Sequence, residues 1–154
     1  MRVWRVTRKA HAEQPLSGEG ARLHGGRWNH AGAAVVYTSQ SLSLAVLEYL
    51  VNVSVTDLPA DLVSIQIEFP NKLQRAEIRL RDLPADWRIF PGSEELKDIG
   101  IGWALKASTP VLVVPSVVIP SELNYLINPK HRLIDRIRIL SVEPFALDAR
   151  LLRQ

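Results

Sequence analysis

The chain has 154 residues, 47% of them hydrophobic, with no cysteine and a formal net charge of +3. Such a composition is globular, excludes disulfides and thiolate metal ligands, and fits a reducing cytoplasm. No apolar run reaches membrane-spanning length, and the start Met1-Arg2-Val3-Trp4-Arg5-Val6 is too charged for a signal peptide.

Residues 3–6 alternate and read as a short strand, with Val3 and Arg5 on one face and Trp4 and Val6 on the other. Residues 7–24 show no period and hold Pro15, Gly18 and Gly20, so a long loop is expected. Gly25-Gly26-Arg27-Trp28-Asn29 follows: two glycines for a tight turn and close ligand approach, then a guanidinium and a flat indole. Residues 33–37 form a strand, and Ser39 or Ser41 caps a helix over 40–51. Leu42, Ala45, Val46, Tyr49 and Leu50 face the core there, with Glu48 on an adjoining face beside Ser41 and Leu44. A connection over 52–61 leads to Val63, Ile65, Ile67 and Phe69, which alternate as a half-buried strand.

Ile78 and Leu80 suggest another short strand, and 83–87 a loop anchored by Trp87. Ser93 is placed to cap a helix over 94–107, with Glu94 and Glu95 in its first turn and with Gly100 and Gly102 weakening it or permitting close packing. Residues 111–114 are a buried strand, 116–119 an extended stretch between Pro115 and Pro120, and 124–129 a turn-rich segment. Arg138, Leu140 and Val142 mark a late strand, and 144–154 an amphipathic tail. Six or seven short strands and two main helices without strict βαβ alternation predict a single α+β domain.

The four histidines lack metal-site spacing, and there is no phosphate-binding GK[ST] loop, GxSxG elbow or thiol nucleophile. Of the 19 basic residues 14 are arginine, five of them within the first 27 positions. Arginine suits bidentate anion recognition, although a solvated surface accounts for most of them, Arg27 excepted. Arg27, Tyr37, Glu48 and Ser116 remain as chemistry-bearing candidates. A glutamate stabilises a developing oxocarbenium ion or activates an attacking oxygen, an arginine holds a pyrophosphate, and a tyrosine stacks on a heterocycle. Spacing alone favours plainer roles: Tyr37 as a core aromatic, Glu48 as a surface carboxylate, Ser116 as a backbone-bonded hydroxyl.

Trp4-Arg5-Val6, Gly25-Gly26-Arg27-Trp28-Asn29, Tyr37-Thr38-Ser39, Ala45-Val46-Leu47-Glu48, Val114-Pro115-Ser116 and Asn124-Tyr125-Leu126-Ile127-Asn128-Pro129 run in order over nearly the whole chain. Together this series resembles the RES-domain toxins of bacterial RES–Xre toxin–antitoxin pairs. The resemblance implies one RES domain over 1–154 and an α+β fold like that of ADP-ribosyltransferase toxins, with two small β-sheets around an NAD cleft and flanking helices. It puts the family's arginine, glutamate and serine on Arg27, Glu48 and Ser116, and its active-site tyrosine on Tyr37. The implied activity is cleavage of the nicotinamide–ribose bond of NAD⁺, by phosphate (a phosphorylase) or by water (a glycohydrolase). A protein ADP-ribosyltransferase using the same site is the alternative. A non-catalytic nucleotide- or DNA-binding module is a more remote one.

On that reading Arg27, Tyr37 and Glu48 are catalytic, and Arg27, Trp28, Tyr37, Ser116 and Arg5 bind substrate. Arg27 holds the pyrophosphate or the nicotinamide-side ribose, Tyr37 packs on the nicotinamide, and Glu48 accepts from a ribose hydroxyl and stabilises the cation. Ser116 orients Glu48 or the ribose, and Arg5 contacts a phosphate. NAD⁺ is the substrate, with no metal and no separate cofactor. The implied partner is an Xre-type helix-turn-helix antitoxin that covers the cleft, with 7–24 and the C-terminal tail as contact surfaces. Nucleic acid is met only through that antitoxin, no membrane is involved, and a homodimer inside the complex is compatible.

Overall fold

The structure is a computed structural model that describes residues 1–54 and 58–152. Its strands are β1 (Arg2–Arg8), β2 (Val36–Ser39), β3 (Leu62–Glu68), β4 (Arg75–Glu77), β5 (Val111–Pro115), β6 (Leu123–Ile127) and β7 (Arg138–Pro144). The helices are α1 (Glu19–His24), α2 (Leu42–Leu50) and α3 (Glu94–Lys106), accompanied by short 3-10 turns. The strands form one sheet in the order β4-β5-β6-β2-β1-β3-β7, parallel only between β4 and β5. This is the expected α+β architecture.

β1 and β2 meet through a single residue pair, Trp4 with Ser39. The sheet is therefore two halves, β4-β5-β6-β2 and β1-β3-β7, joined into one, where the resemblance implied two small sheets. β1 pairs with β3 along its full length, from Arg2 opposite Glu68 to Arg8 opposite Leu62. That register puts Val3, Arg5 and Thr7 on the face of Ile67, Ile65 and Val63, since strand side chains alternate. Val3, Ile65 and Ile67 join Val111, Val113 and Ile127 of the other half in the central core. Leu112, Val114 and Leu126 point the other way, into a second core with Trp28, Trp87, Leu96 and Trp103. All of β5 is buried, as its unbroken apolar run predicts.

α2 begins after Ser41, whose side chain accepts the Leu44 N–H at 3.1 Å. Ala45 and Val46 pack on Val6 and Leu62. α3 follows Ser93, but the Ser93 hydroxyl makes no capping bond, so the cap expected there is one of position only. Gly100 permits the closest approach of α3: a Cβ on it would lie 2.0 Å from the Trp28 carbonyl oxygen. At Gly102 an added Cβ meets nothing within 4 Å, so the close packing expected of both glycines belongs to Gly100.

Several sequence expectations are corrected. The loop over 7–24 holds the end of β1, a 3-10 turn at Lys9–His11 and helix α1. The strand expected at 33–37 sits at Val36–Ser39, paired with β6. The turn-rich 124–129 is mostly strand β6, since Asn124 and Tyr125 pair with both β2 and β5. The strand expected at 78–80 lies earlier, at Arg75–Glu77, and Leu80 opens a 3-10 turn. The extended 116–119 is a bend, because the Ser116 hydroxyl accepts the N–H groups of Val118 and Ile119 and curls the chain around itself. Residues 55–57 of the 52–61 connection and residues 153–154 of the tail lie outside the described residues. Among the described residues no helix is long and apolar enough to cross a membrane.

Candidate functional site

A cleft of about 1060 Å³ opens beside the Gly25-Gly26 turn, where the two half-sheets meet. Arg5, Arg27, Trp28, Tyr37 and Glu48 all line it. Ser116 does not; it lies directly behind Glu48, fully buried. A second hollow of about 770 Å³, between α3 and β4, touches none of these residues.

Glu48 lies one turn after Leu44, which is 1% exposed, so the face it shares is turned inward. Its carboxylate is gripped from the other half of the sheet. The Ser116 hydroxyl donates to Oε1 at 2.7 Å and the Asn124 amide donates to the same oxygen at 2.5 Å. Ser39 in turn donates to the Asn124 carbonyl oxygen at 2.7 Å, which fixes the amide so that its NH₂ faces Glu48. The Ser116 hydroxyl is fully used, with one bond given and two N–H groups accepted. It thus orients the carboxylate and has nothing left for a ribose. Both donors fall on Oε1; among the described residues Oε2 accepts none.

The Tyr37 hydroxyl donates to Asn29 Oδ1 at 2.7 Å and accepts the Trp28 N–H at 3.0 Å. Burial pushes the phenol well above its ordinary pKa, against the smaller opposing effects of the Trp28 N–H and the Arg27 charge. Tyr37 is therefore a neutral ring whose hydroxyl is committed, suited to stacking and not to proton transfer. Gly26 is required beneath it: an added Cβ would stand 2.6 Å from the Tyr37 oxygen. Asn29, fully buried, donates to the carbonyls of Ala21, His30 and Ala33 and so closes the turn. Trp28, expected to bind substrate, lines the cleft but is only 3% exposed, its indole packed in the second core.

Arg27 Nη1 donates to the carbonyls of Trp87 and Ile89 at 2.9 and 3.0 Å. Burial lowers the Arg27 pKa, partly offset by attraction to the Glu48 carboxylate. Arg5 is half-buried; desolvation lowers its pKa, and it donates to Pro15 O at 3.0 Å. That bond ties it to the segment between β1 and α1, and it also lines the cleft. Arg88 donates to Val117 O at 3.2 Å. Among the described residues Arg5, Arg27 and Arg88 have no carboxylate within ion-pair distance, while Lys97 pairs with Glu94. Carbonyl partners fix these guanidiniums without neutralising them. Glu48 is the one carboxylate among the described lining residues, against Arg5, Arg27, Arg88 and Lys97. Such a cleft attracts a polyanion and reserves one negative charge for a specific point.

Asn124, Ser39 and Asn29 stand in the family series quoted above, but no role at the site was read for them. The signal for Asn124 was a polar residue opening an apolar run, which a turn explains as well as a strand does. Among the described residues no three His, Cys, Asp or Glu side chains gather as a metal site would.

The RES domain family model matches residues 2–148. The chain belongs to the RES family. Among curated RES relatives, the "Prs ADP-ribosylating toxin" of Sphingobium sp. (strain YBL2) is 37% identical over 98% of this chain and 96% of its own. "Toxin Res" of Yersinia enterocolitica is 37% identical over 98% of this chain and 99% of its own. "Toxin Res" of Photorhabdus laumondii is 36% identical over 99% and 98%. The fold matches a chain in the crystal structure of the M. tuberculosis MbcT–MbcA toxin–antitoxin complex, with a TM-score of 0.77 and 16% identity over 94% of this chain and 84% of that one.

Proposed function

We propose that this RES protein is a toxin that cleaves the nicotinamide–ribose bond of NAD⁺. The observation that carries the reading is the placement of Glu48. It is a single oriented carboxylate in a cleft whose other charged lining residues are cationic, with Arg27 electrostatically coupled to it. Nicotinamide leaves a cationic ring as a neutral molecule, so the reaction needs little acid catalysis. It needs a fixed negative charge where the oxocarbenium ion develops, and a grip on the rest of the molecule. Glu48 supplies the first through Oε2, turned towards the ribose. Arg27 supplies the second by holding the pyrophosphate, and Tyr37 packs its ring on the nicotinamide. Ser116 and Asn124 act on Glu48 and not on substrate. Arg5 contributes positive potential. NAD⁺ is then a substrate, and no further cofactor is called on.

The acceptor is phosphate or water. Transfer to a protein is the second reading, and the 37% identity to a relative named as an ADP-ribosylating toxin favours it specifically. One experiment separates them. Purified protein is incubated with NAD⁺, with and without phosphate, and with NAD⁺ carrying a labelled adenylate. Free ADP-ribose or its phosphorylated form supports cleavage, and label on a protein band supports transfer. Intact NAD⁺ under all conditions refutes both. Glu48→Gln should lower turnover by about 10²–10³-fold with folding unchanged.

The toxin names of the relatives and the toxin–antitoxin assembly of the structural neighbour support an antitoxin partner. We propose an Xre-type one that covers the cleft in the cytoplasm, binds DNA itself, and holds the toxin as a homodimer. A DNA-binding role for this chain has less support, since Arg2, Arg8, Arg22, Arg79, Arg138 and Arg150 each face a carboxylate.

A further inference from the structure

The segment 87–92 carries an aromatic side chain that the chemistry above leaves unused. Trp87 is 8% exposed and belongs to the core under α3. Phe90, three residues on, is 83% exposed, more than any other large hydrophobic side chain among the described residues, and it lines the cleft. Its backbone is not loose. Arg27 donates to the carbonyls on either side of Arg88, Arg88 donates to Val117 O, and Ile89 N–H donates to Asp86 O at 2.9 Å. Gly92 lies against the Arg27 side chain, where a Cβ would be 3.3 Å from Cγ. An aromatic held in water on a pinned backbone loses little freedom when a flat ligand covers it, and it gains the burial.

Arg27 shares the cleft with Glu48 and Phe90 and is hydrogen-bonded to residues 87 and 89. A ligand with its ribose at Glu48 and its pyrophosphate at Arg27 has Phe90, one residue from an Arg27 partner, in the same cleft for its far end. In a dinucleotide the order is ribose, pyrophosphate, second ribose, base. We infer that Phe90 is the stacking surface for the adenine of the dinucleotide, with Arg88 beside it adding positive charge near the adenylate phosphate. This inference rests on the NAD⁺ reading above.

The test compares wild type with Phe90→Ala and Phe90→Tyr, using NAD⁺ turnover and inhibition by AMP and by nicotinamide. AMP carries the adenine end alone, and nicotinamide the other end. Base–aromatic stacking predicts that Phe90→Ala lowers kcat/KM for NAD⁺ and raises the AMP inhibition constant, each by about tenfold. The nicotinamide inhibition constant should stay unchanged, and Phe90→Tyr should restore both losses. A Phe90→Ala protein within about twofold of wild type on NAD⁺ and AMP overturns the inference, leaving Phe90 as a surface for a protein partner. Failure of AMP to inhibit wild type overturns it too, as does an equal rise in both inhibition constants. If wild type leaves NAD⁺ intact, the NAD⁺ reading itself fails, and that result is distinct from all of these.

Discussion

Glu48 takes its orientation from residues 68 and 76 positions further along the chain. Asn124→Ala should therefore lower kcat by about 10–100-fold while KM changes little, because the carboxylate stays but its aim is lost. Steady-state kinetics on NAD⁺ checks this, and a rise in KM alone would make Asn124 a substrate contact. Tyr37 gives a prediction in pH. Burial raises its folded pKa above the ordinary 10.0, so above about pH 10 the unfolded chain binds fewer protons than the folded one. The stability contribution is complete below that pH and is lost as pH rises towards the folded pKa. Melting temperatures of wild type should thus fall more steeply between about pH 9 and 11 than those of Tyr37→Phe; parallel slopes would refute it. Arg27, Tyr37 and Glu48 were legible as a set only through the family series, since a lone glutamate near an apolar stripe has no periodicity of its own. Asn124 was illegible because its role exists only across the sheet.

Among the elements, α3 offers a matched pair of substitutions. Gly100→Ala drives a methyl into the Trp28 carbonyl and should destabilise by about 1–3 kcal/mol or more, loosening the turn that carries Arg27. Gly102→Ala meets nothing and should stabilise by about 0.5–1 kcal/mol through helix propensity. Denaturant unfolding of both distinguishes close packing from generic glycine effects; equal shifts would contradict it. Strand β3 and helix α2 could be read from their apolar period, β5 from its unbroken apolar run, and α3 from Ser93 and the two glutamates that open it. α1 could not: it is six residues long, contains Gly20, and buries no residue fully. β6 was hidden by its flanking asparagines: Asn124 bonds to Ser39 and Glu48 instead of making a turn, while Asn128, just past the strand, does make one by accepting the Lys130 N–H.

Across the molecule, surface arginines such as Arg2, Arg8 and Arg138 face carboxylates, whereas the cleft's Arg5, Arg27 and Arg88 are held by carbonyls. The KM for NAD⁺ should rise about threefold from low salt to ~0.5 M while kcat holds, because exposed parts of the field are screened. A salt-independent KM would show that the guanidiniums act only at contact range. The α+β class was legible from element counts; the division of the sheet was not, since strand order is a tertiary choice. That division has a mechanical outcome. α2 rides on β1, while Ser116 and Asn124 belong to the opposite half, so the glutamate's anchoring straddles a seam closed by one backbone pair. Sliding of one half past the other by an ångström would spoil the aim of that oxygen before it disturbed either core. A protein that levers the seam open from outside would silence the enzyme without ever entering the crevice.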